Sequence, residues 1–162
     1  LPFFFERMTK IADLGKFKQQ ALELCLQRQE QQIASLKEAI DVAMESALSE
    51  KSGSEDAQDS FREQMQQERN MYANKLAESS ELLAGLKRIN PAAVFQQVGQ
   101  GALVVTDKQI FLIAGSLGKM TFDGHDIFVI SNQSPIYDAI AGLKKGDTYD
   151  FRGMKCKVLD VA

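Results

Sequence analysis

Two apolar seams that match one another in reverse constrain this 162-residue chain more than any other feature. From Phe17 onward, Leu22, Leu26, Ile33, Leu36, Ile40, Ala43 and Ala47 recur at steps of four and three, with Gln29 filling the one gap. A second seam holds Phe61, Met65, Glu68, Tyr72, Leu76, Ser79, Leu83 and Leu86. Such spacing marks a coiled-coil face rather than a strand. In an antiparallel hairpin, facing residues have a constant summed number. Ala47 with Phe61, Ala43 with Met65, Ile40 with Glu68, Leu36 with Tyr72, Gln29 with Ser79 and Leu22 with Leu86 share one sum. Ile33 with Leu76 and Leu26 with Leu83 miss it by one. The fold-back therefore falls near Ser52-Gly53-Ser54, and Gly53 is the sole glycine between Gly15 and Gly85. Glycine permits the backbone angles of a reversal. Gln29 facing Ser79 supplies a polar pair that fixes register. Glu68 opposite Ile40 has no account at this level.

Each helix is expected to run roughly 33 residues, or about 50 Å at about 1.5 Å per residue. The first ends near Glu50; the second runs from near Asp56 to about Ile89. Asn90-Pro91 stops it, because proline lacks a backbone N–H and disfavours helix in the residue before it. The expected domains are a hairpin over 9–90, with its tip near 52–60, and a small domain over 91–162, joined within 90–96. Residues 1–8 read as a lead-in or tag, since Met8 follows seven residues that begin with Leu1.

From Ala102 the period changes. Runs at 103–105, 110–113, 119–122, 127–130, 148–151 and 155–161 read as strands. Thr106-Asp107-Lys108, 115–118, Asp123-Gly124 and Arg152-Gly153 read as the turns between them, Asp-Gly being a strong hairpin signal. A helix is expected from Pro135 to Leu143, with proline at its first position. The fold class is thus α+β: an N-terminal antiparallel coiled-coil hairpin, then a small antiparallel sheet with one short helix.

A formal net charge of −3 argues against a nucleic-acid-coating surface. No apolar run nears the roughly 18 residues of a membrane helix. Cys25 and Cys156, in different elements, read as reduced, structural and cytoplasmic thiols. His125, the single histidine, falls at the Asp123-Gly124 turn, which gives no support to a Ser-His or Cys-His pair.

Two stretches carry candidate chemistry. Around the hairpin tip stand Glu45, Glu50, Glu55, Asp56, Asp59 and Glu63, against Lys51 and Arg62. Asp56 and Asp59 share a helix face. Acids at a helix start also cap free N–H groups and meet the positive dipole end, so Asp56 is equally readable as a cap. Two carboxylates can contribute to a Mg²⁺ site but not complete one. The second stretch is Ser131-Asn132-Gln133-Ser134-Pro135-Ile136, then Ala139, Gly142 and Gly146-Asp147. Taken physically it is a strand end, a polar loop, a Pro-started helix and a turn.

A helical hairpin with an acidic tip, followed by a sheet domain carrying S-P-I-x-x-A-x-x-G-x-x-x-G-D, resembles the bacterial Gre transcript-cleavage factors. Here that segment reads SPIYDAIAGLKKGD from Ser134 to Asp147. The tip differs from the family's G-D-x-x-E-N. Asp56 falls on the family Asp and Asp59 on its Glu, one methylene shorter, while Glu55 replaces the Gly and Ser60 the Asn. Tyr137 and Asp138 stand where the family usually carries a glycine and a basic residue.

The resemblance implies an FKBP-like carboxyl-terminal domain that docks on bacterial RNA polymerase through Ser131, Ser134, Pro135 and Ile136. It implies a hairpin inserted into the polymerase's secondary channel, near nascent RNA and DNA. There Asp56 and Asp59, with Glu55 as a substitute ligand, help hold a shared Mg²⁺ while the polymerase cleaves its own backtracked RNA. On that reading the protein is cytoplasmic and not itself an enzyme. It has no small-molecule substrate, membrane partner or stably bound cofactor. Two alternatives stay open. One is a Gre-like regulator or inhibitor that lacks cleavage, which the altered tip favours. The other is an FKBP-like prolyl isomerase or chaperone, for which Phe111, Phe122, Phe128, Tyr149 and Phe151 could line a pocket, although alternation assigns most of them to the core.

Overall fold

The computed structural model describes residues 13–49 and 55–162. The lead-in over 1–8 and the reversal at Ser52-Gly53-Ser54 lie outside the described residues. Helix α1 runs Leu14–Ser49 and helix α2 Glu55–Arg88. Asp13 caps α1: its Oδ1 accepts from the Lys16 N–H at 3.0 Å, and its carbonyl accepts from the Phe17 N–H at 3.0 Å. Lys87 and Arg88 occupy the last turn of α2, where cations meet the negative end of the helix dipole. Beyond them Asn90 Oδ1 accepts from the Ala92 N–H, turning the chain at Pro91.

The chain forms two compact units. One is Gln27–Ala84; the other joins the stretch up to Leu26 with Gly85–Ala162. The expected join within 90–96 falls inside the second of these units.

Within Gln27–Ala84, Leu36 is buried, and Ile33, Ile40, Ala43, Phe61, Met65, Tyr72, Leu76 and Leu83 are half-buried. Gln29 is buried and donates from Nε2 to the Ser79 carbonyl at 2.9 Å. This is the pair expected from the seam, although the acceptor is the Ser79 backbone and not its hydroxyl. Glu68 is half-buried beside Met65 and Tyr72. The side chain of Ala47 lies outside the described residues.

The other unit carries a six-stranded sheet: β1 (Leu103–Thr106), β2 (Ile110–Ile113), β3 (Gly118–Phe122), β4 (His125–Ile130), β5 (Thr148–Phe151) and β6 (Met154–Val161). A short helix, α3 (Pro135–Ile140), lies between β4 and β5 in sequence. The strand order is β3-β4-β2-β1-β6-β5. Pairing is antiparallel in β1/β2, β1/β6, β3/β4 and β5/β6, as expected, but β2 and β4 pair in parallel from Ile110↔Ile127 to Ile113↔Ile130. Residues 114–117 carry the chain past the place that β4 fills, and the Ala114 and Gly115 N–H groups donate to the Ile130 carbonyl at 3.0 and 3.1 Å. The sheet is thus mostly rather than wholly antiparallel.

Asp123-Gly124 and Arg152-Gly153 make the two tight hairpins. All four residues have positive φ, at 51°, 75°, 50° and 79°. These are the angles of the turn whose twist matches its strands.

β1 and β2 are buried on both faces. On one face Leu103, Val105, Ile110 and Leu112 pack with Phe17, Ala21, Leu22 and Cys25 of α1 and Leu86 of α2. On the other, Val104, Phe111 and Ile113 pack with Ile140 of α3 and with Tyr149, Cys156 and Val158. Leu22 and Leu86, paired by the seam, sit in one cluster. Burying each such large side chain contributes about 1.5–3 kcal/mol.

Candidate functional site

Three places could carry function. The first is the hairpin tip. Glu55 opens α2, Asp59 follows one turn later, and both side chains are exposed. Their spacing puts them on one face. Asp56 lies in the same first turn, but its side chain is outside the described residues. Among the described residues no group of three or more His, Cys, Asp or Glu is placed to hold a metal ion. Glu55 and Asp59 would fill a minority of the six positions that Mg²⁺ demands.

The second place is the turn from Ser131 into α3, which brings Ser131, Ser134, Pro135 and Ile136 together. The Ser131 carbonyl accepts from the Ser134 N–H at 3.2 Å and from the Ser134 hydroxyl at 2.8 Å. Ser131 Oγ accepts from the Gln133 N–H at 3.2 Å. Ser134 holds an extended conformation at the cap position, but its hydroxyl turns back to Ser131 and makes no cap bond. Pro135, at the start of α3, is exposed; Ser131, Ser134 and Ile136 are half-buried, with Ile136 packed on the sheet. Asp138 is exposed in the first turn. The result is a braced turn that shows its proline to solvent.

The third place gathers aromatics that the sequence offered as a pocket lining but assigned mostly to the core. An open cleft of about 370 Å³ lies on the α3 side of the sheet. Phe111, Tyr149 and Cys156 line it as buried residues, and Phe128, Phe151 and Ile136 as half-buried ones. Lys108 and Arg152 are the exposed cations of its lining. Four of the five aromatics considered for an isomerase pocket therefore line one cleft. Phe122 does not; it packs against Phe17 on the opposite face, with ring centroids 5.3 Å apart. His125 begins β4 rather than sitting in the turn, and its ring stands edge-on to Phe17 at 5.7 Å. Burial pushes the Tyr149 phenol up to about 12, against the opposing effect of its hydrogen bond with Thr106.

One buried charge also escaped the sequence. Lys18 is 1% exposed, and its Nζ donates to the Ala93 carbonyl at 2.7 Å and stands 4.8 Å from the centre of the Phe95 ring. Burial lowers its pKa. No sequence signal singles out Lys18, which follows Phe17 directly; only the 91–95 turn folding over it reveals the clamp.

No family model matches the chain. A stretch of 62 residues is 44% identical to the transcription elongation factor GreA of Streptococcus uberis, covering 38% of this chain and 33% of that protein. Over that stretch the chain is similar to GreA. GreA of Streptococcus gordonii gives 39% identity over 59 residues, 36% of this chain and 31% of that protein. The chain thus spans about a third of the length of these curated relatives. The crystal structure of GreA factor homolog 1 (Gfh1) of Thermus thermophilus aligns with 89% of this chain and 94% of its own, at 18% identity and a TM-score of 0.31. No helix among the described residues is long and apolar enough to cross a membrane.

Proposed function

We propose that this chain is a Gre-like elongation factor that acts on a bacterial RNA polymerase and stimulates cleavage of backtracked RNA. The observation that carries the reading is the pairing of two helices of 36 and 34 residues with exposed carboxylates at the start of the second. Helices of that length reach about 50 Å at about 1.5 Å per residue, far beyond what burying a small core requires. Glu55 and Asp59, with Asp56 in the same turn, would deliver carboxylates into the polymerase's secondary channel. The sheet unit would dock on the polymerase through the braced turn of Ser131, Ser134, Pro135 and Ile136. A Mg²⁺ shared with the polymerase supplies the phosphoryl-transfer chemistry when bound; this chain's own part is to carry and aim acidic ligands. The protein would then be an activator working in the cytoplasm close to RNA and DNA, and not an enzyme itself.

A second reading rests on the altered tip. Asp59 is shorter than the family glutamate, and Glu55 and Ser60 replace the family Gly and Asn. A carboxylate that reaches less far favours a regulator that occupies the channel without cleavage. The test is to add purified protein to a stalled, backtracked elongation complex and follow RNA length. Shortened RNA supports the activator. Protein that binds the polymerase and blocks elongation with RNA of unchanged length supports the regulator, and protein that does not bind removes both.

A further inference from the structure

The cleft on the α3 side of the sheet shares Pro135 and Ile136 with the turn proposed to dock on the polymerase. Its volume of about 370 Å³ is in the range of small-molecule pockets. Aromatic side chains supply much of its lining, with the Phe111 and Phe128 rings 6.3 Å apart and inclined by 50°. Flat apolar ligands favour such walls.

The charge at the cleft is ordered. The chain holds 22 Asp and Glu against 19 Lys and Arg, yet the lining contains Lys108 and Arg152 and no acid. Asp107 and Asp150 form no part of the lining, although Asp107 stands close enough to help raise the Tyr149 pKa.

Arg152 adds a second observation. It sits at φ 50°, a left-handed conformation that suits Asn, Asp or Gly. The other tight hairpin fills its equivalent position with Asp123. An arginine therefore stands where the backbone asks for a shorter residue. Its guanidinium lies 5.1 Å from the centre of the Phe151 ring, against the cleft wall.

We propose that this cleft binds a small aromatic anion, with its ring between the Phe128 and Phe151 walls and its anionic group at Lys108 and Arg152. The class is an aromatic carboxylate or sulfonate, since these join a flat apolar body to a group that a guanidinium fork can hold. Pro135 and Ile136 line the same cleft, so a bound ligand would touch the α3 turn.

The test titrates the full chain with 1-naphthoate and with the neutral 1-naphthalenemethanol, by calorimetry and by amide NMR. Naphthoate is expected to saturate one site and to bind about tenfold more tightly than the alcohol, the gain of one charge-assisted contact. Amide shifts should centre on Phe128, Ile136 and Phe151. In the Lys108→Gln, Arg152→Asn double variant the preference for the anion should vanish while the alcohol binds as before. Both substitutions are at exposed positions and Asn suits the turn, so the fold survives. Lack of saturable binding, equal affinity for the two probes, or shifts that centre elsewhere would each overturn the proposal. So would a capped acidic peptide with one central phenylalanine, or a neutral proline peptide, that displaces naphthoate at far lower concentration; the cleft would then serve a protein partner.

Discussion

The Gln29 amide nitrogen donates to the Ser79 carbonyl at 2.9 Å, crossing from one hairpin helix to the other. That carbonyl lies inside α2, where it also faces the N–H four residues on. Gln29 is therefore an added donor to an acceptor already satisfied. Gln29→Leu should leave stability unchanged or raise it by about 1 kcal/mol, because no buried polar group is orphaned and apolar area is gained. The cost should appear in register. Cysteines placed at Leu36 and Tyr72 should cross-link cleanly with Gln29 present, and pairs shifted by one turn should cross-link more readily without it. Loss of several kcal/mol in thermal unfolding would contradict this account.

Lys18 is a buried cation held by one carbonyl and one ring, and it makes a discriminating pair of variants. Lys18→Met keeps the bulk and removes the charge; it should match the wild type or exceed it. Lys18→Ala opens a cavity and should lose about 2–3 kcal/mol. The pH dependence follows from the lowered pKa. The unfolded chain holds this proton more tightly than the folded one, so Lys18 makes stability rise as pH climbs toward 10.5, its ordinary value. Denaturant melts of wild type and Lys18→Met across that range should show the rise in the first and not in the second.

Tyr149 has the opposite sign. Its phenol ordinarily ionises at 10.0 and is pushed up to about 12 in the fold. The stabilisation it brings is complete below pH 10 and is lost as pH rises through 12. Tyr149→Phe should flatten that alkaline loss, and the phenolate absorbance that appears near pH 12 in the wild type should be missing from the variant.

Arg152→Asn should stabilise the protein by up to about 1 kcal/mol, since a left-handed arginine is strained and Asn tolerates that region. The same substitution should weaken naphthoate binding. Equilibrium unfolding and calorimetry on one sample would show the two effects moving in opposite directions.

At the tip, Asp56→Asn and Asp59→Asn remove charge and keep shape. If the activator reading holds, each should cut RNA shortening in a backtracked complex by at least about tenfold, a loss of about 1.4 kcal/mol of transition-state stabilisation. Polymerase affinity should barely change. Because Asn caps a helix about as well as Asp, thermal stability should also hold. Undiminished cleavage would leave these acids as ordinary helix-start residues.

The hairpin was legible because its two seams carry the register in their numbering, and Gln29 with Ser79 sits where those seams predict. The strand positions were legible because Asp123-Gly124 and Arg152-Gly153 are local signals that need no partner. Strand order was not. The parallel contact of β2 with β4 depends on residues 114–117 passing over a place that only β4 fills later, and no local pattern records it. Alternation also failed to sort the faces of β1 and β2. LVVT and IFLI are apolar on both sides, because helices cover both sides. The cleft was only half legible for the same reason: Phe111 and Phe128 could line a pocket but read mostly as core until α3 and the Arg152-Gly153 turn define an opening.

Phe17, Leu22, Cys25 and Leu86 roof one face of the central strands, and this governs where the molecule can be cut. A fragment starting at Pro91 would carry the whole sheet but leave Leu103, Val105, Ile110 and Leu112 bare to solvent. Such a piece should aggregate rather than serve as a transplantable module. A chimera that exchanges arms between related proteins must make its joints inside the helices, between Leu26 and Gln27 and between Ala84 and Gly85, so that the roof travels with the sheet it covers.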